Sequence, residues 1–556
     1  MQRFAPFALA AAVVALAATW PIHEAHAQVR LPALGDAVSE DFDILAERRL
    51  GDRIMREVRR DPAYLDDPAL LEYLRSLFDP LLAAARSRGE IGVDLDNAFA
   101  WEPFLVGERP VNAFALPGGY VGVYLGLIAL TGNSDELASV LAHEMSHVTQ
   151  RHIARSAISQ QRQGLAAMAG MILGVLAASR ANSTDAAQAV IMGTQAAAAQ
   201  GQLNFSREME READRIGIEV LASAGFAPGG MVGMFEKLDN AMRLNDSNQY
   251  PYLRSHPLTI ERISDARLRV REAAALPPPP ETGRASAASS PGVKGPPVRS
   301  LVPHALMQAR AKVLMDKTDQ GLLRQQALGA AAAPGTGPAA DLPRLATLYA
   351  GAMASMQLRD FDRALQTLAA GEALARGPFA QEPEALRQFT LLRVDILSDR
   401  GGPPAQLGPA LTAALAPLAA DRSRPAMLAR ADAALARQRS GEPAATETLR
   451  QATESLQTWV SEHKRDALAW QTLARCAEPL GLRLRSLRAG AEAAYANGDV
   501  LGAVDRLRVA RQIAQDTRSD DYIETSVIQA RLRELEGERR RLLAEMRGER
   551  HPEDVQ

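Results

Sequence analysis

The sequence predicts a mainly α protein in two parts, an α+β half built of helices around a small sheet and then an all-α half of paired helices. Three observations carry this. Apolar positions recur at helical spacing through most of the 556 residues. Residues 111–125 (VNAFALPGGYVGVYL) are two apolar runs broken by Pro117-Gly118-Gly119, the signal for a hairpin. A proline-, alanine- and serine-rich stretch over residues 276–300 divides the halves, and such compositions stay extended and solvated.

At the N-terminus, Arg3 precedes an apolar stretch from Phe4 to Trp20 that ends in Ala25-His26-Ala27, a small-x-small signal. A secretory signal peptide over residues 1–27, cleaved after Ala27, is expected. Pro21, His23 and Glu24 interrupt the apolar run, which is short of the about 20 residues a membrane span takes. No cysteine follows it, so a lipoprotein is excluded; the lone Cys476 rules out an intramolecular disulfide. With 63 basic and 66 acidic residues and a net charge of −3, the chain offers no electrostatic footprint for nucleic acid.

Residues 141–152 read LAHEMSHVTQRH. Leu137, Val140, Leu141 and Val148 lie at helical spacing, and Asn133 with Glu136 can form a capping box where the helix begins. Within it, His143, Glu144 and His147 make an H-E-x-x-H pattern. A spacing of four puts both imidazoles on one face about one turn apart, so both reach one metal ion with Glu144 beside the metal-bound water. A catalytic zinc site normally takes a third protein ligand. Gln150 and Ile153 exclude the three-histidine version of the motif, which leaves a downstream carboxylate from Glu208, Glu210, Glu212 or Asp214 in residues 205–217 (FSREMEREADRIG).

With these motifs the chain resembles the gluzincin-type zinc peptidases, a family that includes the CAAX prenyl proteases, the HtpX-type peptidases and the bacterial beta-barrel assembly-enhancing proteases. The resemblance implies a zincin-like metalloprotease domain over residues 28–275 that holds one zinc ion per chain and acts as an endopeptidase. It selects Glu210, from an E-x-x-x-D pattern, as the third ligand, and Asp214 as the carboxylate that orients a zinc histidine. Glu144 becomes the general base. Glu208 and Glu212 are left as solvated face, with Glu212 the fallback ligand. Residues 111–125 resemble the family's active-site strand. Ser255-His256-Pro257 with Arg262-Ile263 resembles its closing segment, which implies one of two roles for His256: stabilising an oxyanion, or filling the fourth zinc position and holding the enzyme latent. His152 is expected to support the site rather than ligate.

Leu165 to Ala178 is continuously apolar but only 14 residues long. It reads either as a buried closing helix or as a lid or hairpin in peripheral contact with a membrane. Past the linker, residues 349–365 and 489–504 share a pattern of helix, break ending in Asp360 or Asp499, and second helix; Trp470, Leu473 and Ala474 add part of another unit. These resemble tetratricopeptide (TPR) repeats over residues 301–556, whose period is about 34 residues and whose stacked helices form a concave binding surface. A generic helical bundle is the alternative. Gly329 to Gly337 is expected to be a loop, and Gln529 to Arg547 a charged solvated helix.

The resemblance further implies a periplasmic protein, with outer-membrane association left open. Its role would be quality control of outer-membrane β-barrel proteins: the TPR part docks the β-barrel assembly machinery or unfolded and stalled clients, and the peptidase removes those that stall. A chaperone or scaffold that works through the repeats with a latent peptidase is the second reading, and a general scavenging peptidase the third.

Overall fold

Asp43 accepts a hydrogen bond from the Ala46 amide and so starts α1 (Ile44–Arg60), which buries Leu50, Ile54, Met55 and Val58 along one stripe. The computed structural model describes residues 43–159, 206–244, 250–275, 299–333, 337–516 and 521–546. The expected signal peptide, the apolar segment 165–178 and all of the linker except Arg299 and Ser300 lie outside them.

After α1 come β1 (Tyr64–Leu65), α2 (Pro68–Arg88), α3 (Val93–Ala98), β2 (Glu102–Val106), β3 (Ala113–Leu116) and β4 (Tyr120–Tyr124). The four strands form one sheet in the order β1-β2-β4-β3, with β2 and β4 parallel and the other pairs antiparallel. The hairpin expected in residues 111–125 is present. Gly118 and Gly119 turn it with φ of +80° and +86°, a region a side chain disfavours. β3 pairs only with β4, so among the described residues its outer edge is open.

Helices α4 (Leu125–Leu130), α5 (Ser134–Thr149), α6 (His152–Ser159), α7 (Arg207–Ser223), α8 (Gly229–Leu244), α9 (Tyr252–Ser255) and α10 (Ile260–Ala275) complete this half. Asn133 caps α5 as expected, accepting from the Glu136 amide at 2.9 Å. The box is not reciprocal, however. The Glu136 carboxylate accepts instead from the Gly132 amide and from Lys237 Nζ, each at 2.6 Å, because the ammonium on α8 offers a charge-assisted bond. Leu137, Ala138, Leu141 and Ala142 are wholly buried, and α5 packs against α2, α7, α8 and β3.

The second half runs α11 (Val302–Leu314), α12 (Asp319–Ala330), α13 (Pro338–Gln357), α14 (Phe361–Arg376), α15 (Pro383–Arg400), α16 (Pro404–Leu415), α17 (Arg424–Ser440), α18 (Ala445–Glu462), α19 (Ala467–Ala477), α20 (Arg483–Ala496), α21 (Val500–Asp516) and α22 (Tyr522–Met546). Most of these pack against the next in sequence, the pattern of stacked helical hairpins. The expected breaks are there: Asp360 caps α14 by accepting from the Arg363 amide, and Asp499 accepts from the Gly502 amide at the start of α21. Gly329 and Ala330, expected in a loop, instead end α12. A Cβ on Gly329 would lie 2.8 Å from the Gly351 Cα, so the two glycines let α12 and α13 touch backbone to backbone. No described helix is long and apolar enough to cross a membrane.

One hydrophobic core crosses from the first half into the second, and α11 carries it. Val302, Leu306, Met307 and Val313 join the cluster that also holds Leu70, Phe78 and Leu141. The polar face of α11 is equally tied. His304 Nε2 donates to the Thr131 carbonyl at 2.9 Å while its Nδ1 accepts from the Tyr73 hydroxyl at 2.7 Å; Gln308 donates to the same carbonyl at 2.6 Å. Arg310 forks onto Asp67, the cap of α2, at 2.7 and 2.8 Å. Leu306→Ala should therefore destabilise the first half, although Leu306 follows that half in the chain, by about 2–5 kcal/mol in denaturant unfolding.

A cavity of about 380 Å³ opens between α2 and the inner helices of the second half, and Arg310, Asp395, Asp432 and Arg475 help to line it. Burial pushes the Asp395 carboxyl up from 3.8 to about 7, with Arg310 opposing. Since the folded state holds this proton more tightly than the unfolded chain, its contribution is full below about 3.8 and is lost as pH rises through about 7. Asp395→Asn should thus lose less melting temperature than the wild type between pH 5 and pH 8, which thermal melts at the two values would check.

Candidate metal centre

α5 passes through the middle of its half and presents His143, Glu144 and His147 on one buried face. The Nε2 atoms of the two histidines lie 3.0 Å apart, as a spacing of one turn allows. α7 runs beside it, capped by the Ser206 hydroxyl, which accepts from the Met209 amide. Its Glu210 and Asp214, one turn apart, are both buried against α5. What allows the close approach is Gly217, where a Cβ would stand only 3.3 Å from the His143 amide nitrogen.

These helices bring the expected ligands together. Glu210 Oε1 is 3.4 Å from His147 Nε2, and its Oε2 is 3.5 Å from His143 Nε2. Asp214 Oδ1 lies 3.0 Å from the other nitrogen of His143, Nδ1, where a carboxylate fixes tautomer and ring orientation. His256, just past α9, brings its Nδ1 to 2.9 Å from Glu210 Oε1 and 3.3 Å from His143 Nε2; its Nε2 is 3.4 Å from Glu144 Oε1. Tyr252 stacks on the His256 ring at 4.7 Å between centroids.

One donor atom each from His143, His147, Glu210 and His256 all lie within 4.8 Å of one another, and all four residues are buried. Glu144 is fully buried too, and neither of its carboxylate oxygens has a hydrogen-bond partner among the described residues. A buried carboxylate without a hydrogen bond, beside imidazole nitrogens that converge on each other, is costly in a protein interior unless an ion or water lies between them. Two or three imidazoles with a carboxylate are the ligand types of zinc. The residues present fit the ion.

Burial disfavours charge on His143, yet Asp214 and Glu210 outweigh it and raise its pKa to about 10. Burial, with His143 next in effect, holds His147 well below its ordinary value. Burial would raise Glu210, but His256 and His143 pull it well below the usual carboxylate range, so it stands ionised as a ligand must.

Beyond the expected residues, several others shape the site. α5 stops at Thr149, and Arg151 takes a left-handed φ of +51° while donating to buried Glu47 at 3.0 Å. The turn brings His152 back, its Nδ1 2.9 Å from His147 Nδ1. Its Nε2 lies 3.0 Å from Glu212, which Arg155 also contacts at 3.0 Å. Glu212 is thus not free solvated face, as the sequence suggested, but the outer end of a chain that supports His147; Glu208 is exposed as expected. Arg262 bridges Glu210 and Asp214. Its place in the R-I pair was visible in sequence, but that it points back at both carboxylates depends on how α10 folds over α7.

Comparison with known proteins agrees with this geometry. Residues 82–270 match the family model described as Peptidase family M48. The Beta-barrel assembly-enhancing protease of Yersinia pestis is 39% identical over 246 residues, 44% of this chain and 48% of that protein. Its namesake from Escherichia coli is 37% identical over 242 residues, 44% of this chain and 47% of that protein. The Mitochondrial metalloendopeptidase OMA1 of Arabidopsis thaliana is 34% identical over 161 residues, 29% of this chain and 30% of that protein. The matched region spans about half the length of the assembly-enhancing relatives. The region that matches this family model, residues 82–270, is the one that holds His143, His147, Glu210 and His256.

Proposed function

We propose that this chain is a zinc-dependent endopeptidase of the periplasm that acts in the assembly and quality control of outer-membrane β-barrel proteins. The observation that carries the chemistry is the buried group of four convergent donor atoms beside Glu144, whose carboxylate has no hydrogen bond among the described residues. His143, His147 and Glu210 would hold one zinc ion, which supplies Lewis acidity and a water whose pKa is brought toward neutrality. Glu144, one residue from His143 on the same helix, would accept a proton from the attacking water and return it to the leaving amine. Asp214 and His152 keep the two ligating rings in orientation through their outer nitrogens. The open edge of β3, which packs against α5, can bind an extended substrate by main-chain hydrogen bonds, so the cleavage sequence is only loosely specified.

His256 supports a resting site that is latent. Its Nδ1 belongs to the same donor group as the three ligands, so it takes space that a substrate carbonyl would need. We therefore place it as a fourth ligand that must leave before turnover. The role in β-barrel assembly is supported by the names of the Escherichia coli and Yersinia pestis relatives. The helical pairs of residues 301–556, taken as TPR-like, suit docking of unfolded or stalled clients or of the assembly machinery. A cleaved signal at residues 1–27 would deliver the chain to that compartment.

Two outcomes follow. With purified protein and an unfolded, casein-like substrate, Glu144→Gln should lose essentially all turnover and still bind about one zinc per chain, measured by metal analysis. Retained cleavage with full zinc would remove Glu144 from the mechanism. His256→Ala should cleave faster than the wild type; an inactive variant would instead make His256 an oxyanion-stabilising catalytic residue.

A further inference from the structure

We propose that Arg262 is a positioning residue that fixes Glu210 as a one-oxygen ligand and ties it to the turn carrying His256; this rests on the metal-site reading above. The arginine is buried, and its guanidinium contacts Asp214, Glu210 and the Pro257 carbonyl. Nε and Nη2 fork onto the two oxygens of Asp214 at 2.7 and 2.8 Å. Nη1 donates to the Pro257 carbonyl at 2.9 Å and lies 2.8 Å from Glu210 Oε2, an ion pair without hydrogen-bond geometry. The guanidinium carbon lies 5.2 Å from the centre of the Phe235 ring, which adds a cation–π contact.

The geometry divides the work of the Glu210 carboxylate. The Arg262 charge lies against Oε2, while Oε1 lies toward His147 and His256. The same guanidinium grips Asp214, whose Oδ1 lies against His143. Through the Pro257 carbonyl it also anchors the residue after His256. One planar group therefore sets the carboxylate ligand, the orienter of a histidine ligand and the turn that bears the fourth donor.

A plainer role would be charge balance, since two buried carboxylates need a cation nearby whatever its shape. Lysine separates the two. It keeps the charge, but as a single ammonium it cannot fork onto Asp214 while also reaching Glu210 and Pro257.

The experiment compares full-length wild type, Arg262→Lys and Arg262→Gln by zinc titration against a competing chelator, with circular dichroism melts of the metal-free proteins alongside. Zinc binding by the wild type is read first, and its absence would sink the metal-site reading itself. Given wild-type binding, Arg262→Lys should keep a metal-free melt close to wild type and lose about 10- to 100-fold in zinc affinity, the range for residues that orient ligands. The visible spectrum of its cobalt-loaded form should also change as Glu210 relaxes. Wild-type affinity in Arg262→Lys would overturn the proposal in favour of charge balance. Failure of both variants to fold without metal would overturn it too, by assigning the arginine to stability.

Discussion

Where α7 crosses α5, Gly217 rests against the backbone of His143, and the separation of the two helices there sets how closely Glu210 and Asp214 approach the histidines of α5. Glu210 and Asp214 stand on the same helix as Gly217, about two turns and one turn before it. If a side chain forced α7 outward, both carboxylates would retreat together, one from the space between the histidines and the other from the outer nitrogen of His143. The ligand geometry is therefore a consequence of helix packing, because side chains on two rigid rods can converge only as closely as the rods allow.

The second constraint is charge. Glu144, Glu210 and Asp214 are all buried, and removing three carboxylates from water costs more than neutral hydrogen bonds return. Arg262 is the permanent cation that offsets two of them, and His143 takes up positive charge readily because Asp214 and Glu210 surround it. Glu144 meets His256 Nε2 at 3.4 Å and has no hydrogen bond to its oxygens among the described residues, which suits the proton acceptor proposed above. The fold tolerates this arrangement because the surrounding helices are held from several sides, by the sheet, by α8 and by the second half of the chain.

That last support joins the two halves more closely than a linker would suggest. Thr131 lies two residues before Asn133, the cap of α5, and its carbonyl receives His304 and Gln308 from α11. Leu306 and Met307 of α11 share a core with Leu141 of α5 itself. The start of the helix that bears His143 and His147 is thus held by the helical half.

The sequence by itself determined the local parts. His143, Glu144 and His147 were legible because their chemistry and spacing lie within one helix, and the hairpin at Pro117 and the caps at Asn133, Asp360 and Asp499 follow from backbone preferences of the residues present. Glu210, Asp214 and His256 came from resemblance in pattern, since no local rule says which of four acidic residues faces the histidines. Only the tertiary structure decided the rest: that Glu212 supports His152, that Glu136 turns to Lys237 rather than closing its capping box, that Arg262 grips both carboxylates, and that α11 belongs to the core of the first half. Each of these depends on contacts between segments far apart in the chain. Side-chain direction across such a contact is set by how helices pack, a property of the whole assembly that no short stretch of sequence contains.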